Sequence, residues 1–565
     1  MHDLVIRAGT VIDGTGAAPR IADLAIDAGI ITAIGRDVGP GRHEVSAEGL
    51  TVTPGFVDIH THYDGQATWD SWLAPSFHHG VTTAVFGNCG VGFAPVRAGT
   101  TDYLINLMEG VEDIPGTVLA EGVRFDWESF PDYMAALDAI PHAMDIGTQV
   151  PHTALRFYVM GERGADHREA PTAAEIARMG TLLEEALGAG ALGFTTSRTT
   201  KHRAKDGRPV PSLSAREPEL AGLALAMRRA GRGVLEVNSD FGPGEFETLQ
   251  AAAQLSGRKL SCLLVQVSAA PTLWRETLDW IHAMRAQGID ANAQVSCRGI
   301  GVMMGLETTL HPFAAHPAWL ALSHLSPAER VARLRSDADL RRRLLNEPAN
   351  DELTHRVMGM LKRSFDLGPD LNYEPDPADN VVARAAAAGR PVLDYVLDLL
   401  LADDGKGMLM HPFENYVAGN FSDVRAMLTD EATVMGVADG GAHVGIICDA
   451  SQPTFMLAYW GRDRATDRFP LEYLVRKLTR DTAVSYGLHD RGVLAPGMKA
   501  DINIIDMAAL RLCRPEVVYD LPTGGRRIMQ KARGYRHVFV SGTETIRDDE
   551  ATGALPGRLI RGAAT

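Results

Sequence analysis

The sequence predicts an α/β chain closed into a (β/α)8 TIM barrel, with further strands at both ends and a helical insertion between strands 7 and 8. Three observations predict it. Eight short apolar runs alternate with longer stretches of helical periodicity, the pattern of βα units and a parallel sheet. Turn-bounded strand patterns crowd both ends of the chain. Between the last two apolar runs lie roughly 135 residues, far too many for a loop.

The elements follow in order. Residues 4–7, 22–26 and 30–34 read as short strands, with Gly9, Gly14 and Gly29 near the breaks. The eight barrel strands are expected at residues 55–60, 81–87, 145–151, 191–196, 233–238, 261–267, 290–296 and 433–439. Residues 172–188 and 217–232 carry helical periodicity with small-residue stops between strands. Residues 309–380, rich in Leu, Ala and Arg, are expected to form helices over the barrel mouth, as a lid or an oligomer contact, which leaves room for a homo-oligomer. Near the far end, residues 491–506 and 535–542 again read as turn then strand. From Thr543 onward the polar tail lacks periodicity and is expected to be loosely ordered.

Bulk properties narrow the function classes. A chain of 565 residues exceeds what one hydrophobic core serves. Its net charge of -16 argues against nucleic acid as a main partner, because phosphate binding needs a basic surface. The first residues lack a basic, apolar leader, and no run approaches 18 apolar residues, so neither a signal peptide nor a membrane span is expected. Five scattered cysteines without CxxC spacing fit a reducing cytoplasm.

The chemistry concentrates at strand ends, where a (β/α)8 barrel places its active site. The first strand runs Phe56-Val57-Asp58-Ile59-His60-Thr61-His62 after a Pro54-Gly55 turn. Side chains two apart on a strand share a face, so His60 and His62 converge and supply half of a transition-metal site. The second strand ends in Gly87-Asn88-Cys89-Gly90, and the eighth in Ala438-Asp439-Gly440-Gly441-Ala442-His443. Taken alone, Cys89 reads as a small buried thiol and Asp439 as a turn cap.

The segment from Thr53 to Asp64 resembles the first-strand signature of the amidohydrolase superfamily, and Gly-Asn-Cys-Gly resembles its N-acyl-D-amino-acid deacylase (D-aminoacylase) branch. The Gly-x-Leu-x-Pro-Gly-x-x-Ala-Asp segment at residues 492–501 resembles the same superfamily near its end. The resemblance implies that both termini pair into a small β-sandwich domain, residues 1–52 with 490–565, beside a barrel at 53–489 interrupted by an insertion at about 300–406. It implies Cys89 as a metal ligand beside His60 and His62, and Asp439 as both ligand and catalytic base. His443 either polarises the substrate, holds its carboxylate, or makes a structural hydrogen bond.

Further strand ends carry weaker signals. His152-Thr153-Ala154-Leu155-Arg156 resembles the branch's Gly-His-x-x-Leu-Arg element, with Pro151 for the glycine, which implies a substrate-positioning role for His152. Arg198 or Arg203, in a basic loop after strand four, is expected either to grip an anionic small-molecule substrate or to face solvent. In the resembled branch, strands five and six each end in a zinc-binding histidine. Here Asn238 and Ser268-Ala269 occupy those places, and amide, hydroxyl and methyl are poor zinc ligands. Asn238 is therefore assigned to substrate contact, and the expected cofactor is one tight divalent ion, Zn2+, per chain. Glu236, on the same strand face, reads as a second-ion ligand or as a buried support.

The expected activity is hydrolysis of an amide C–N bond in N-acyl-D-amino acids or related N-acyl compounds by metal-activated water. The altered metal set leaves two alternatives. One is hydrolysis of a cyclic amide, carbamate or other C–N bond, and the other is a non-catalytic scaffold.

Overall fold

In the computed structural model, which describes residues 1–348 and 351–562, eight parallel strands close a barrel. They are Phe56–Asp58, Val81–Phe86, Asp145–Thr148 (continued by Val150–Pro151), Gly193–Arg198, Val234–Ser239, Leu260–Leu263, Ala291–Val295 and Thr433–Met435. Each pairs in parallel with its sequence neighbour. Closure comes past the strand ends, where Thr61 bridges Gly440, His62 N donates to Gly440 O and Asp439 N donates to His60 O. The seam between first and last strands thus runs through the expected chemistry.

Helices between the strands bury one face each against the barrel. Ala173–Ala189 starts at a capping box on Thr172 and Glu175, and stops at Gly190 with φ of 113°. It buries Met179, Leu183 and Leu187 while leaving its charged face to solvent.

The two ends of the chain share one nine-stranded sheet. Ile502–Ile505 from the far end lies between Thr51–Pro54 and Tyr535–Val540, and the sheet forks at His2–Val11, which pairs with three strands. Leu24, Ile26, Val52, Ile502 and Phe539 bury their side chains in a core of its own.

Between strands seven and eight the chain is not purely helical. Ile300–Met304, Leu409–Glu414 and Phe365–Asp366 form a small antiparallel sheet, and helices from Pro317 to Gly405 pack a separate core around Phe313, Leu334, Val357 and Leu397. Among the described residues, no helix is long and apolar enough to cross a membrane.

The tail departs from expectation. Thr543–Arg547 and Glu550–Ala551 extend the terminal sheet, and the segment beyond is tied to the third barrel strand. Ile146 N donates to Arg558 O at 3.0 Å and Ile560 N to Ile146 O at 2.7 Å. Backbone pairing and burial of Ile560 beside Val57, Val85 and Leu192 order this segment without any periodic pattern. Residues 563–565 lie outside the described part.

Candidate metal centre

The first strand stops at Asp58, whose side chain accepts from the N–H of His60 at 3.1 Å and turns the chain toward the barrel mouth. His60 and His62 follow with ring centroids 5.4 Å apart. Gly87 to Gly90 carries Cys89 in from the second strand, with Cys89 itself at φ of 54°. At Gly90 an added Cβ would lie 2.7 Å from Ser197 N, so only glycine lets this loop press against the fourth strand. Val437, Asp439 and His443 also have positive φ. Four non-glycine residues in a costly backbone region around one point mark a place where structure is held for a purpose.

The ligand atoms of His60, His62 and Cys89 all lie within 4.8 Å of one another, and all three residues are buried. His60 Nε2 is 3.5 Å from Cys89 Sγ and 3.3 Å from Asp439 Oδ1, and His62 Nε2 is 3.8 Å from the same oxygen. His60 Nδ1 donates to Gln294 Oε1 at 2.8 Å, and Gln294 Nε2 donates onward to Ser261 Oγ. That bond leaves the Nε2 lone pair of His60 facing the cluster.

Two acids stand behind the cluster. Glu236 lies below Cys89 and accepts its backbone N–H at 3.0 Å, so it supports the loop. Glu112, at the end of the helix Thr101–Glu112, is 1% exposed, and its Oε1 is 3.2 Å from His62 Nδ1. That contact lacks hydrogen-bond alignment, so His62 Nδ1 and both Glu112 oxygens are buried without a hydrogen-bond partner.

Protonation follows from this crowding. Burial works against a charged His62, but Glu112 and Asp439 outweigh it and hold its pKa at about 9. Burial brings His60 down to about 4. Asp439 is buried too, yet His62 and His60 keep it well below the usual carboxylate range. Burial pushes the Cys89 thiol up, helped by Glu236, Glu112 and Asp439. Burial also lifts Glu236 to about 8. A site of soft sulfur, two imidazoles and unsatisfied acids is one that a dication completes. The residues fit a metal.

The cluster opens on a cavity of about 510 Å³, to which Asn238, His443, Glu112 and Asp439 contribute. Asn238 Nδ2 points at Cys89 Sγ and at His202 Nε2, 3.4 Å from each. His443 Nε2 lies 3.8 Å from Glu112 Oε2. The structure does not bring His152 or Arg198 to this cavity. His152 is fully buried between Thr196 Oγ1 and Glu219 Oε1, in a network with Arg156. Arg198 grips Glu245 with Nε at 2.7 Å and Nη2 at 2.6 Å, and its Nη1 donates to Ala215 O. A carboxylate already saturates the guanidinium expected to bind an anionic substrate. Arg203 donates to Gly207 O in its own loop. At strand six, Ala269 lines the cavity and Ser268 accepts from Arg363.

Sequence reasoning missed Glu112 and His202. Glu112 reads as an ordinary helical acid, and an acid at the negative end of a helix is a weak hint of another partner. His202 sits in a basic loop that reads as solvated. In the fold its Nδ1 meets Ser197 Oγ at 2.9 Å, and burial pulls its pKa down to about 3.

The chain is similar to known proteins over nearly its whole length. The amidohydrolase family pattern matches residues 43–546. An N-acyl-D-glutamate deacylase of Alcaligenes xylosoxydans xylosoxydans is 32% identical over 571 residues, covering 99% of this chain and 96% of its own. A D-aminoacylase of the same organism is 28% identical over 569 residues, covering 99% and 97%. A solved D-aminoacylase structure, described by its binuclear metal centre with one-metal activation and second-metal attenuation, superposes with a TM-score of 0.66 at 24% identity, covering 99% of this chain and 100% of its own.

Proposed function

The chain belongs to the amidohydrolase family, and from that premise we propose that it is a metal-dependent hydrolase of the amide C–N bond in N-acyl-D-amino acids or related N-acyl compounds. The observation that carries the reading is the convergence of His60, His62 and Cys89 within 4.8 Å at the barrel mouth, with Asp439 3.3 Å from His60. The proposed ligands are His60, His62, Cys89 and Asp439, and cysteine with histidine suits Zn2+. A divalent ion held there supplies Lewis acidity to the amide carbonyl and lowers the pKa of the attacking water.

The chain's own residues do the rest. Asp439, ionised at neutral pH, takes a proton from the attacking water and passes it to the leaving nitrogen. The new C–O bond forms first, and the C–N bond breaks once the nitrogen is protonated, giving a carboxylic acid and an amine. Gln294 fixes the tautomer of His60. Glu112 holds His62 in place. Glu236 holds the Cys89 loop through its backbone N–H. Asn238 and His443 face the space where the amide sits.

We assign one tight ion per chain, because Asn238, Ser268 and Ala269 bring no imidazole from strands five and six, and the carboxylate of strand five, Glu236, is engaged by the Cys89 backbone N–H. Residues 1–52 and 490–565 we assign to one composite domain and 53–489 to the barrel, with residues from about 300 to 406 an elaboration of its mouth. Elemental analysis of the purified chain together with turnover of an N-acyl-D-amino acid panel, with and without chelator, tests the reading. It expects about one zinc per chain and chelator-sensitive hydrolysis. Cys89→Ala is expected to lose metal and keep its fold. Two equally tight ions, or a fully active Cys89→Ala enzyme, refutes the corresponding assignment.

A further inference from the structure

The cavity beside the metal cluster is built unevenly. From the sixth strand and its extension, Leu263, Leu264, Val265 and Val267 line it, Leu264 buried and the other three partly exposed. Phe413 and Ile446 face them from the two segments that flank the eighth strand. Leu263, Val265, Phe413 and Ile446 pack on a small buried cluster of Ile300, Val437 and Ile447, so the wall is continuous rather than scattered. All four remain partly exposed although they lie in a recess, as apolar groups do when a ligand is to cover them.

Charge is distributed the other way. No arginine lines the cavity among the described residues, and the lysine that does, Lys201, is paired through Nζ with Glu414. Arg198 is held by Glu245. Arg363, close to the rim, donates to Ser268 Oγ at 2.9 Å and to Tyr416 O at 3.2 Å. Of the carboxylates at this cavity, Glu112 and Asp439 lie against His62, Glu414 is paired with Lys201, and Asp240 accepts from Thr199 and Thr200. Away from the metal cluster, an incoming carboxylate would give up its hydration here and find no unpaired lysine or arginine on the wall among the described residues.

We propose that the group seated against this wall is lipophilic and uncharged, so that the substrates are N-acyl compounds with an extended aliphatic or aromatic group in the cavity and no carboxylate there. This rests on the hydrolase reading above and narrows its substrate class. A cavity of about 510 Å³ is of the size that takes a drug-sized ligand. Each methylene that leaves water for such a wall is worth about fourfold in kcat/KM.

The test uses the full-length, zinc-loaded enzyme and four compounds: the p-nitroanilides of acetic and octanoic acid, N-acetyl-D-leucine and N-acetyl-D-glutamate. Cleavage is followed by chromatography of the products, and binding by calorimetry. The octanoyl anilide is expected to exceed the acetyl anilide in kcat/KM by at least about 100-fold, given six added methylenes. It should exceed N-acetyl-D-glutamate by a larger factor. Val267→Lys, which sets a cation in the partly exposed wall, should move the octanoyl-to-glutamate ratio at least tenfold toward the acid. Preferential cleavage of N-acetyl-D-glutamate overturns the proposal while leaving the hydrolase reading intact, and turns attention to Arg363. Tight binding of the octanoyl compound without cleavage of any compound keeps the lipophilic cavity and overturns the hydrolase reading. Binding of none overturns the proposal.

Discussion

Around the barrel mouth, the strands that meet at the closing seam end in His60, His62 and Asp439, with Cys89 beside them at the end of the second strand, whereas those on the far side end in Asn238, Leu263, Val265 and Val267. The first half is polar, buried and strained, with positive φ at Cys89 and Asp439. The second is apolar and open to the cavity. On the proposed reading, one barrel divides its rim between a half that activates and a half that selects. The division follows from closure itself. Hydrogen bonds from His62 to Gly440 and from Asp439 to His60 join chain segments about 380 residues apart, so the imidazoles of the first strand and the acid of the last share one seam.

The comparison breaks first at Asp439. If the seam half carries the chemistry, Asp439→Asn should lower kcat/KM by about 10²–10⁴ even at saturating zinc, where His60, His62 and Cys89 still hold the ion, though less tightly. Turnover measured beside elemental analysis decides it. Loss of the ion in step with activity would make Asp439 a ligand above all, and normal turnover would remove the seam half from the reaction. A smaller effect is expected at Glu112, which touches His62 but reaches no substrate atom. Glu112→Gln keeps the shape and removes the charge, and metal affinity should fall about 10–100-fold. A chelator competition series reads this directly, and full activity at saturating zinc would identify Glu112 as a positioning residue.

How much of this was legible depended on whether the information was local. His60, His62, Cys89 and Asp439 each end a short apolar run, and a strand end is visible in one dimension. The eight barrel strands fall at or within a few residues of their expected positions for the same reason. Glu112 and His202 are not of that kind. Each is placed by a long-range contact, with His62 in one case and Ser197 and Asn238 in the other. Arg198 was misread because its partner, Glu245, begins a helix 47 residues later, and no spacing rule links the two. The tail was misread because its order comes from pairing with the third barrel strand rather than from its own pattern.

The far half can be remade to sharpen the contrast. Asn238 Nδ2 lies 3.4 Å from Cys89 Sγ and 3.4 Å from His202 Nε2, so an imidazole at this position would stand between a thiol and another imidazole. Asn238→His is expected to raise the bound zinc from about one to about two ions per chain. Unchanged stoichiometry would mean that the asymmetry depends on more than this one side chain.

The smallest effect is expected away from both halves, at His152. This imidazole is fully buried, bonded to Thr196 and Glu219, and absent from the cavity. His152→Asn should leave the kcat/KM of a good substrate within about twofold. It should cost about 1–3 kcal/mol of stability, because Glu219 loses a buried partner. The pH dependence has a definite sign. Burial holds the pKa of His152 below its ordinary value despite Glu219. As pH falls through the ordinary histidine range of about 6.5, the unfolded chain takes up a proton that the folded one refuses. Stability contributed by neutral His152 is therefore present above that range and lost toward acid. Thermal denaturation from pH 8 to pH 5 should show a shallower acid decline in His152→Asn than in the parent chain. A large drop in turnover with unchanged stability would instead bring His152 back to the substrate.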